Sequence, residues 1–256
     1  MLTLFKKYFT YLIAGEAVIL ALAAALIHDH VSWGWVVAAV LFPSLILLAA
    51  LEMKAGITHQ RLLGILYIFQ RPEDFIKAYE PVAMQEKVRS NVKFTALAYL
   101  SNAYAAMGSF KKSLSILDGM PTLPESRRLD GDILLAGNRC SIYLGLGDLE
   151  NAAAQYSRLT ALAAEGGGRK SSGTAELLRI RLAAAKGEAA ASDADYVREE
   201  LKKNASALHK TELRYLLGLI YTQLGEKDFA AAYLNEAAAA GSQLWAGVQA
   251  KQLLKK

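Results

Sequence analysis

The sequence contains a single cysteine, Cys140, and only five prolines among 256 residues. One cysteine excludes an internal disulfide and leaves the redox compartment undecided. No segment alternates apolar and polar residues over the length of a strand, and alanine, a strong helix former, is abundant. The sequence therefore predicts an all-α protein.

Residues that carry out chemistry or bind metals are also scarce. The four histidines are scattered, and neither a helical histidine pair nor a nucleophile-elbow sequence is present. His28 and His30 flank Asp29, but no further metal ligand lies nearby, which favours a solvated turn. The glycine-rich segment 166–173 lacks the order of glycines before Lys-Ser found in phosphate loops, so it predicts a flexible inter-helix loop. We expect no catalytic residue, no metal site and no cofactor.

The chain is moderately basic, with a net charge of +5 at pH 7. The basic residues are spread along the chain rather than gathered in one stripe. Such a spread favours an anionic lipid surface or an acidic partner and does not indicate a nucleic-acid partner.

Two long apolar runs lie near the N-terminus. Residues 8–27 contain one charged residue, Glu16, and residues 31–51 contain none. Each run is long enough to cross the apolar core of a bilayer, about 30 Å thick, as a helix. A cleavable signal peptide is the alternative for the first run, but its polar flank offers no small-x-small cleavage site. The sequence predicts a transmembrane helical hairpin over residues 1–53 and a second domain over residues 54–256.

The charges that flank these runs indicate the orientation of the hairpin. Lys6 and Lys7 precede the first run, Lys54 and Arg61 follow the second, and the turn at residues 28–30 has no lysine or arginine. Because basic flanks stay on the cytoplasmic side, both ends of the hairpin are expected there. This predicts an integral protein of the inner or cytoplasmic membrane, with a cytoplasmic C-terminal domain.

Glu16 is expected near mid-bilayer, where an unpaired carboxylate is costly. Pro43 and Ser44 of the second run lie at a similar depth, and Pro43 removes the helical donor of the Ala39 carbonyl. A protonated Glu16 could donate to that carbonyl or to Ser44. We favour a polar clip between helices or protomers over the alternative, a proton or ion relay.

A glycine recurs at nearly constant spacing in the second domain. The four glycines are separated by 39, 40 and 38 residues and are Gly108, Gly147, Gly187 and Gly225. A tyrosine precedes three of them by four residues, at Tyr104, Tyr143 and Tyr221. A small residue precedes the same three by seven, at Ser101, Cys140 and Gly218. Glycine allows a helix to end in the left-handed conformation, and a small residue admits a partner helix, so the repeating unit is a helical hairpin.

These motifs resemble the tetratricopeptide repeat. The last unit carries the fullest motif, Leu217-Gly218-x-x-Tyr221-x-x-x-Gly225-x-x-x-x-Ala230-x-x-x-Leu234-x-x-Ala237. The units around Gly108 and Gly147 keep less of the motif, and the unit around Gly187 keeps only its turn. A further hairpin, residues 58–70 and 74–84, precedes them. The resemblance implies a tetratricopeptide-like α-solenoid, but a spacing near 39 exceeds the family period of about 34 and leaves its curvature open.

The resemblance also implies a concave groove that receives a protein or peptide partner. The corresponding groove positions are Tyr99, Asn102, Asn138, Ser141, Arg181, Tyr215 and Leu219. Asn102 and Asn138 match the asparagines with which carboxylate-clamp members hold a peptide. The basic residues of that clamp are replaced by Ala98, Thr174 and Leu178, which argues against capture of an acidic chaperone tail. The alternative is that both asparagines are ordinary surface residues.

Taken together, these features predict a membrane-anchored scaffold or adaptor that binds a protein partner at the cytoplasmic membrane face. The alternative is a non-catalytic subunit of a membrane transport or secretion complex in which the spans and Glu16 are functional. Either protein could form homo- or hetero-oligomers. An enzyme is the least expected class.

Overall fold

The computed structural model describes Gly15 and residues 33–85, 89–166, 169–203, 205–240 and 243–255. The residues in these ranges form helices, turns and connecting segments without a strand. The all-α prediction is therefore confirmed.

Contacts divide the chain into two units, Met1–Leu62 and Leu63–Lys256. Most of the described part of the first unit belongs to helix α1, Trp33–Tyr67, which continues into the second unit. Within residues 31–51, four large apolar side chains of α1 are between 46% and 67% exposed, namely Phe42, Leu45, Ile46 and Leu47. Further along α1, Met53 and Ile57 are exposed as well. Among the residues that the structure describes, no helix combines the length and the apolar character needed to cross a membrane.

Several predictions for the N-terminal region concern residues that the structure does not describe. The predicted span at residues 8–27, including Glu16, lies outside the described residues. Ser44 belongs to α1, but its side chain is likewise outside the described part. The contact between Glu16 and Ser44 therefore stays a prediction.

The second unit continues with ten helices in its described part. They are α2 Pro72–Ala83, α3 Ser90–Ala106, α4 Phe110–Asp118, α5 Glu125–Leu146, α6 Leu149–Gly166, α7 Arg169–Lys186, α8 Ala191–Lys202, α9 Ala207–Leu224, α10 Lys227–Ala240 and α11 Trp245–Leu253. The predicted hairpin at residues 58–70 and 74–84 corresponds to the end of α1 followed by α2. The prediction of a loop over residues 166–173 is wrong in part, since Gly166 belongs to α6 and α7 begins at Arg169. Residues 167 and 168 lie outside the described residues. The Arg-Lys-Ser-Ser segment is helical because its residues tolerate helical geometry.

Each of the four recurring glycines lies at the C-terminal end of a helix. Their φ angles are positive, between +76° and +80°. In the last unit the Gly225 N–H donates to the Thr222 carbonyl, and the Glu226 N–H donates to the Tyr221 carbonyl. The same pair of bonds recurs at the three earlier glycines. A residue in the left-handed conformation closes each of these turns, and any residue other than glycine would be strained there. The turn positions predicted from the spacing are correct.

The first helices of successive hairpins contact one another in the order α3, α5, α7 and α9, and α11 continues the row beside α9. Helix α11 also packs against α3, so the row closes on itself. We call these five helices the ring. The curvature that the sequence left open is therefore tight enough to bring the last helix of the chain to the first hairpin of the row.

The core of the unit lies between the helices of each hairpin and between neighbouring hairpins. Tyr104, Tyr221 and Leu234 are buried, and Tyr143 is half-buried against the cluster around Cys140. Cys140 is fully buried, and burial raises the pKa of its thiol to about 11. The thiol is therefore protonated and shielded, as is typical of an inert packing residue.

Candidate functional site

The ring lines a half-open cavity of about 1550 Å³. Six of the seven predicted groove residues line it, namely Asn102, Asn138, Ser141, Arg181, Tyr215 and Leu219. They lie on α3, α5, α7 and α9, and each of these helices faces the cavity with one side. The structure thus brings together residues that span more than a hundred positions of the chain.

Tyr99 lies apart from the other six. Its ring packs edge-on against Tyr67 at 6.2 Å between centroids and against Tyr79 at 6.4 Å. The end of α1 and helix α2 therefore cover Tyr99, and Tyr67 lines the cavity instead. Tyr99 is the one predicted groove residue that does not line the cavity, because its ring packs on the hairpin that precedes α3.

Most of the cavity wall is apolar. It includes the aliphatic side chains of Ile133, Leu177, Leu178, Leu216 and Leu244 and the aromatic side chains of Phe110, Tyr196, Tyr215 and Trp245. An apolar wall of this kind, with a few polar groups between the apolar side chains, is typical of sites that bind an organic ligand or a peptide side chain.

The main charged cluster of the wall is centred on Glu212. Arg181 Nη2 donates to Glu212 Oε2 at 3.0 Å, and His209 Nδ1 lies 3.7 Å from the same oxygen. Burial alone would raise the pKa of Glu212, but the adjacent His209 and the positive charge of Arg181 outweigh it, so the pKa is lowered. Glu212 is therefore ionised at neutral pH, and its charge is compensated by Arg181.

The two asparagines of the wall differ in their hydrogen bonding. Asn102 Nδ2 donates to Tyr67 Oη at 3.4 Å. Asn138 Nδ2 is buried and has no hydrogen-bond partner among the described residues. A buried donor without a partner costs about 1–3 kcal/mol, so an acceptor on a bound molecule or a water would stabilise this site.

Trp245, at the start of α11, closes one side of the ring. Its indole packs edge-on against Phe110 at 5.4 Å and against Tyr215 at 5.5 Å between centroids. A Cβ atom at Gly108 would lie 2.8 Å from Trp245 Cδ1, so only glycine permits this approach. The sequence predicted Gly108 for its turn but gave no signal for the partner tryptophan.

A second long-range contact joins the end of α1 to α9. Gln70 Nε2 donates to Thr211 Oγ1 at 3.0 Å, a bond between residues separated by 141 positions. Gln70 has a φ of +57°, which is uncommon for a residue other than glycine. This bond fixes the segment that follows α1 to α9, the fourth helix of the ring. Tyr67, at the end of α1, lines the cavity.

The arrangement is suited to binding by apolar contact, hydrogen bonds and compensated charge pairs. In the described ranges no three His, Cys, Asp or Glu side chains are grouped so that they could hold a metal ion. No protein-family model matches the chain, and neither a curated protein nor a solved structure is significantly similar to it.

Proposed function

We propose that the chain is a tetratricopeptide-like scaffold that binds a protein or peptide partner in the cavity of the ring. The observation that carries this proposal is the convergence of six predicted groove residues on one cavity. Its apolar wall, the buried donor of Asn138 and the charge pair of Arg181 and Glu212 supply the two kinds of contact that peptide recognition uses.

The proposal includes an integral membrane anchor formed by residues 8–27 and 31–51. Two observations support it: both runs are apolar in sequence, and four large apolar side chains of α1 are exposed. Contiguous exposed apolar side chains indicate contact with lipid or protein. The basic flanks favour a cytoplasmic position for the ring. An anchor of this kind would concentrate the bound partner at the membrane face.

The partner site is tested by a charge placed inside the cavity. Leu219→Arg should reduce partner recovery by about tenfold or more in affinity purification from gently solubilised membranes, because a buried unpaired charge opposes binding. Leu224→Arg is the matched control, since Leu224 lies outside the cavity wall and is 37% exposed. Equal recovery of the same proteins with both variants would contradict the proposal.

The anchor and its orientation are tested in intact cells. A cysteine introduced near the C-terminus should resist an impermeant thiol reagent, whereas a cysteine at position 33 should react, because residue 33 is expected near the outer interface. The reverse labelling pattern would exclude a cytoplasmic ring. Release of the chain from membranes by alkaline carbonate would exclude an integral anchor.

A second candidate function is a subunit of a transport or secretion complex, which is favoured by the presence of Glu16 within an apolar run. Glu16→Gln keeps the side-chain shape and a hydrogen-bond donor but cannot release a proton. A scaffold should keep its function with this variant. Loss of function at normal membrane levels would favour the relay, and therefore the second candidate.

A further inference from the structure

Two opposite charges of the cavity wall are paired across the step from α7 to α9. Arg181 Nη2 donates to Glu212 Oε2 at 3.0 Å, and the two side chains are only 24% and 35% exposed. Because both groups are partly withdrawn from water, their pairing counts for more than that of an ion pair at the open surface. The pair itself carries no net charge.

The other fully charged side chains of the described wall lie at its solvent-exposed edge. Lys203, which follows α8, pairs with Glu200 of that helix, and the Lys203 side chain is 66% exposed. Asp130 of α5 is also exposed, so its carboxylate stays solvated. Arg181 and Glu212, with His209 beside them, are therefore the ionisable groups that a molecule deep in the cavity would meet.

The remaining polar groups of the wall are neutral. Asn138, Ser141 and Tyr215 contribute an amide and two hydroxyl groups among the apolar side chains. Such groups can bond to the N–H and C=O groups of a peptide backbone, which is uncharged as well. A charged ligand group would instead meet a like charge on one member of the ion pair. If it displaced that member, it would leave a charge of the wall without its partner, which is costly in an apolar site.

We propose that Glu212 determines the specificity of the cavity by neutralising Arg181, so that the cavity selects an uncharged, apolar segment of a partner protein. This inference rests on the proposed function of the cavity and names the partner class. Segments that place an acidic or a basic side chain in the cavity bind less tightly. The charge pair thus excludes ligands of both signs, while the apolar side chains and neutral polar groups hold the segment that is accepted.

Binding of the purified full-length chain to three immobilised peptide pools tests this inference. Each pool contains nine-residue peptides of apolar residues and serine with blocked ends, and the pools differ only in a central glutamine, glutamate or lysine. The wild type should bind the glutamine pool about tenfold more tightly than the other two, because a charged centre finds no unpaired opposite charge. Equal affinity for the three pools, or no binding of the glutamine pool, would overturn the inference.

Substitutions in the pair should change which charge the cavity accepts. Glu212→Gln leaves Arg181 uncompensated, so this variant should bind the glutamate pool about tenfold more tightly than the wild type does. Arg181→Gln should show the corresponding gain for the lysine pool, and the double variant Arg181→Gln/Glu212→Gln should again prefer the glutamine pool. If the pair only tied α7 to α9, its loss would weaken binding of all three pools and would produce no gain.

Glu236→Gln is the matched control, since Glu236 of α10 pairs with Arg214 of α9 at 2.8 Å and neither residue lines the cavity. This variant should rank the pools as the wild type does. A Glu212→Gln variant that is folded by circular dichroism and keeps the wild-type ranking would show the inference to be wrong. The wild-type ranking decides alone if the single variants do not fold. An overturned ranking together with a retained effect of Leu219→Arg on partner recovery would leave the proposed function intact.

Discussion

The hairpins α7–α8 and α9–α10 have the same turn but different interfaces. Both first helices end at a glycine with nearly the same φ, +80° at Gly187 and +79° at Gly225. Seven residues before its glycine, however, α7–α8 has Ile180, whereas α9–α10 has Gly218. Equivalent positions therefore carry one of the larger core side chains in one hairpin and no side chain in the other.

In α9–α10 the helices meet through close apolar contact. A Cβ atom at Gly218 would lie 2.5 Å from Leu234 Cδ2 and 3.5 Å from the Leu234 backbone nitrogen. The absence of a side chain at Gly218 lets α10 and the side chain of Leu234 approach α9, which is the role expected of a small residue in the family motif.

In α7–α8 the helices are linked by an ion pair and by an apolar cluster that they share with α9. Ile180 is fully buried in this cluster, together with Val197 of α8 and Leu217 of α9. Arg179 pairs with Asp193, whose carboxylate also accepts the Ala190 N–H at 3.0 Å. The comparison shows that the turn is the constant part of the repeat, whereas each hairpin builds its own interface. The sequence motif is therefore fuller in α9–α10 than in α7–α8.

The largest expected effect is at Ile180. Ile180→Ala should lower the free energy of unfolding by about 2–5 kcal/mol, because it leaves a cavity in a close-packed core. Chemical denaturation of the full-length chain measures this change. Leu224→Ala is the control at a 37% exposed site and should cost much less. Equal costs would mean that Ile180 does not lie in a close-packed core.

At the equivalent position of α9–α10 the opposite change should destabilise. Gly218→Ala should cost about 1–3 kcal/mol because the new methyl group would overlap Leu234. In a double-mutant cycle, Leu234→Ala should relieve part of this cost, since the overlap is then removed. Strictly additive costs would show that the close approach is not what requires glycine.

The shared turn predicts equal effects in the two hairpins. Gly187→Val and Gly225→Val should each cost about 1–3 kcal/mol, because a β-branched residue is strained at positive φ. Nothing lies within 4 Å of either Cβ position, so steric overlap does not contribute. Thermal melts of the two variants should shift by similar amounts. An unchanged melting temperature for one of them would show that its turn is not left-handed in solution.

The smallest expected effect depends on pH and concerns α7–α8. Burial alone would raise the pKa of Asp193, but the Ala190 N–H and Arg179 outweigh it and lower that pKa. A lowered pKa contributes stability above the unfolded value of about 3.9, and this contribution is lost as pH falls through the folded value. Asp193→Asn should therefore cost about 1 kcal/mol at pH 7, since Arg179 is partly exposed, and less at pH 3.

Melting temperatures of the wild type and Asp193→Asn, measured between pH 7 and pH 3, check this prediction. Asp195→Asn is the control, because Asp195 is exposed and pairs with Arg198 on its own helix. A difference between wild type and Asp193→Asn that stays constant over this range would exclude a contribution from the carboxylate charge.

The sequence predicted those features that depend on local signals. Gly225 and the three earlier glycines mark the turns because positive φ requires glycine, and Tyr221 marks a buried face because its spacing is helical. The resemblance to the tetratricopeptide repeat, and not the spacing alone, assigned Asn138 and Arg181 to an inner face. Closure of the ring could not be predicted, because curvature is the sum of small rotations between hairpins. Trp245 has no periodic equivalent, so no pattern in the sequence pairs it with Phe110.

Closure of the ring changes how the second unit is expected to unfold. In an open repeat array each hairpin is coupled only to its sequence neighbours, and terminal hairpins fray with little cost to the rest. Here α11 is held by α3, so fraying at the C-terminal end also exposes the aromatic side chain of Phe110 on the first hairpin. The ends should therefore protect one another from hydrogen exchange. Because the closing contacts join distant residues, ring closure should be a slow, late step of folding.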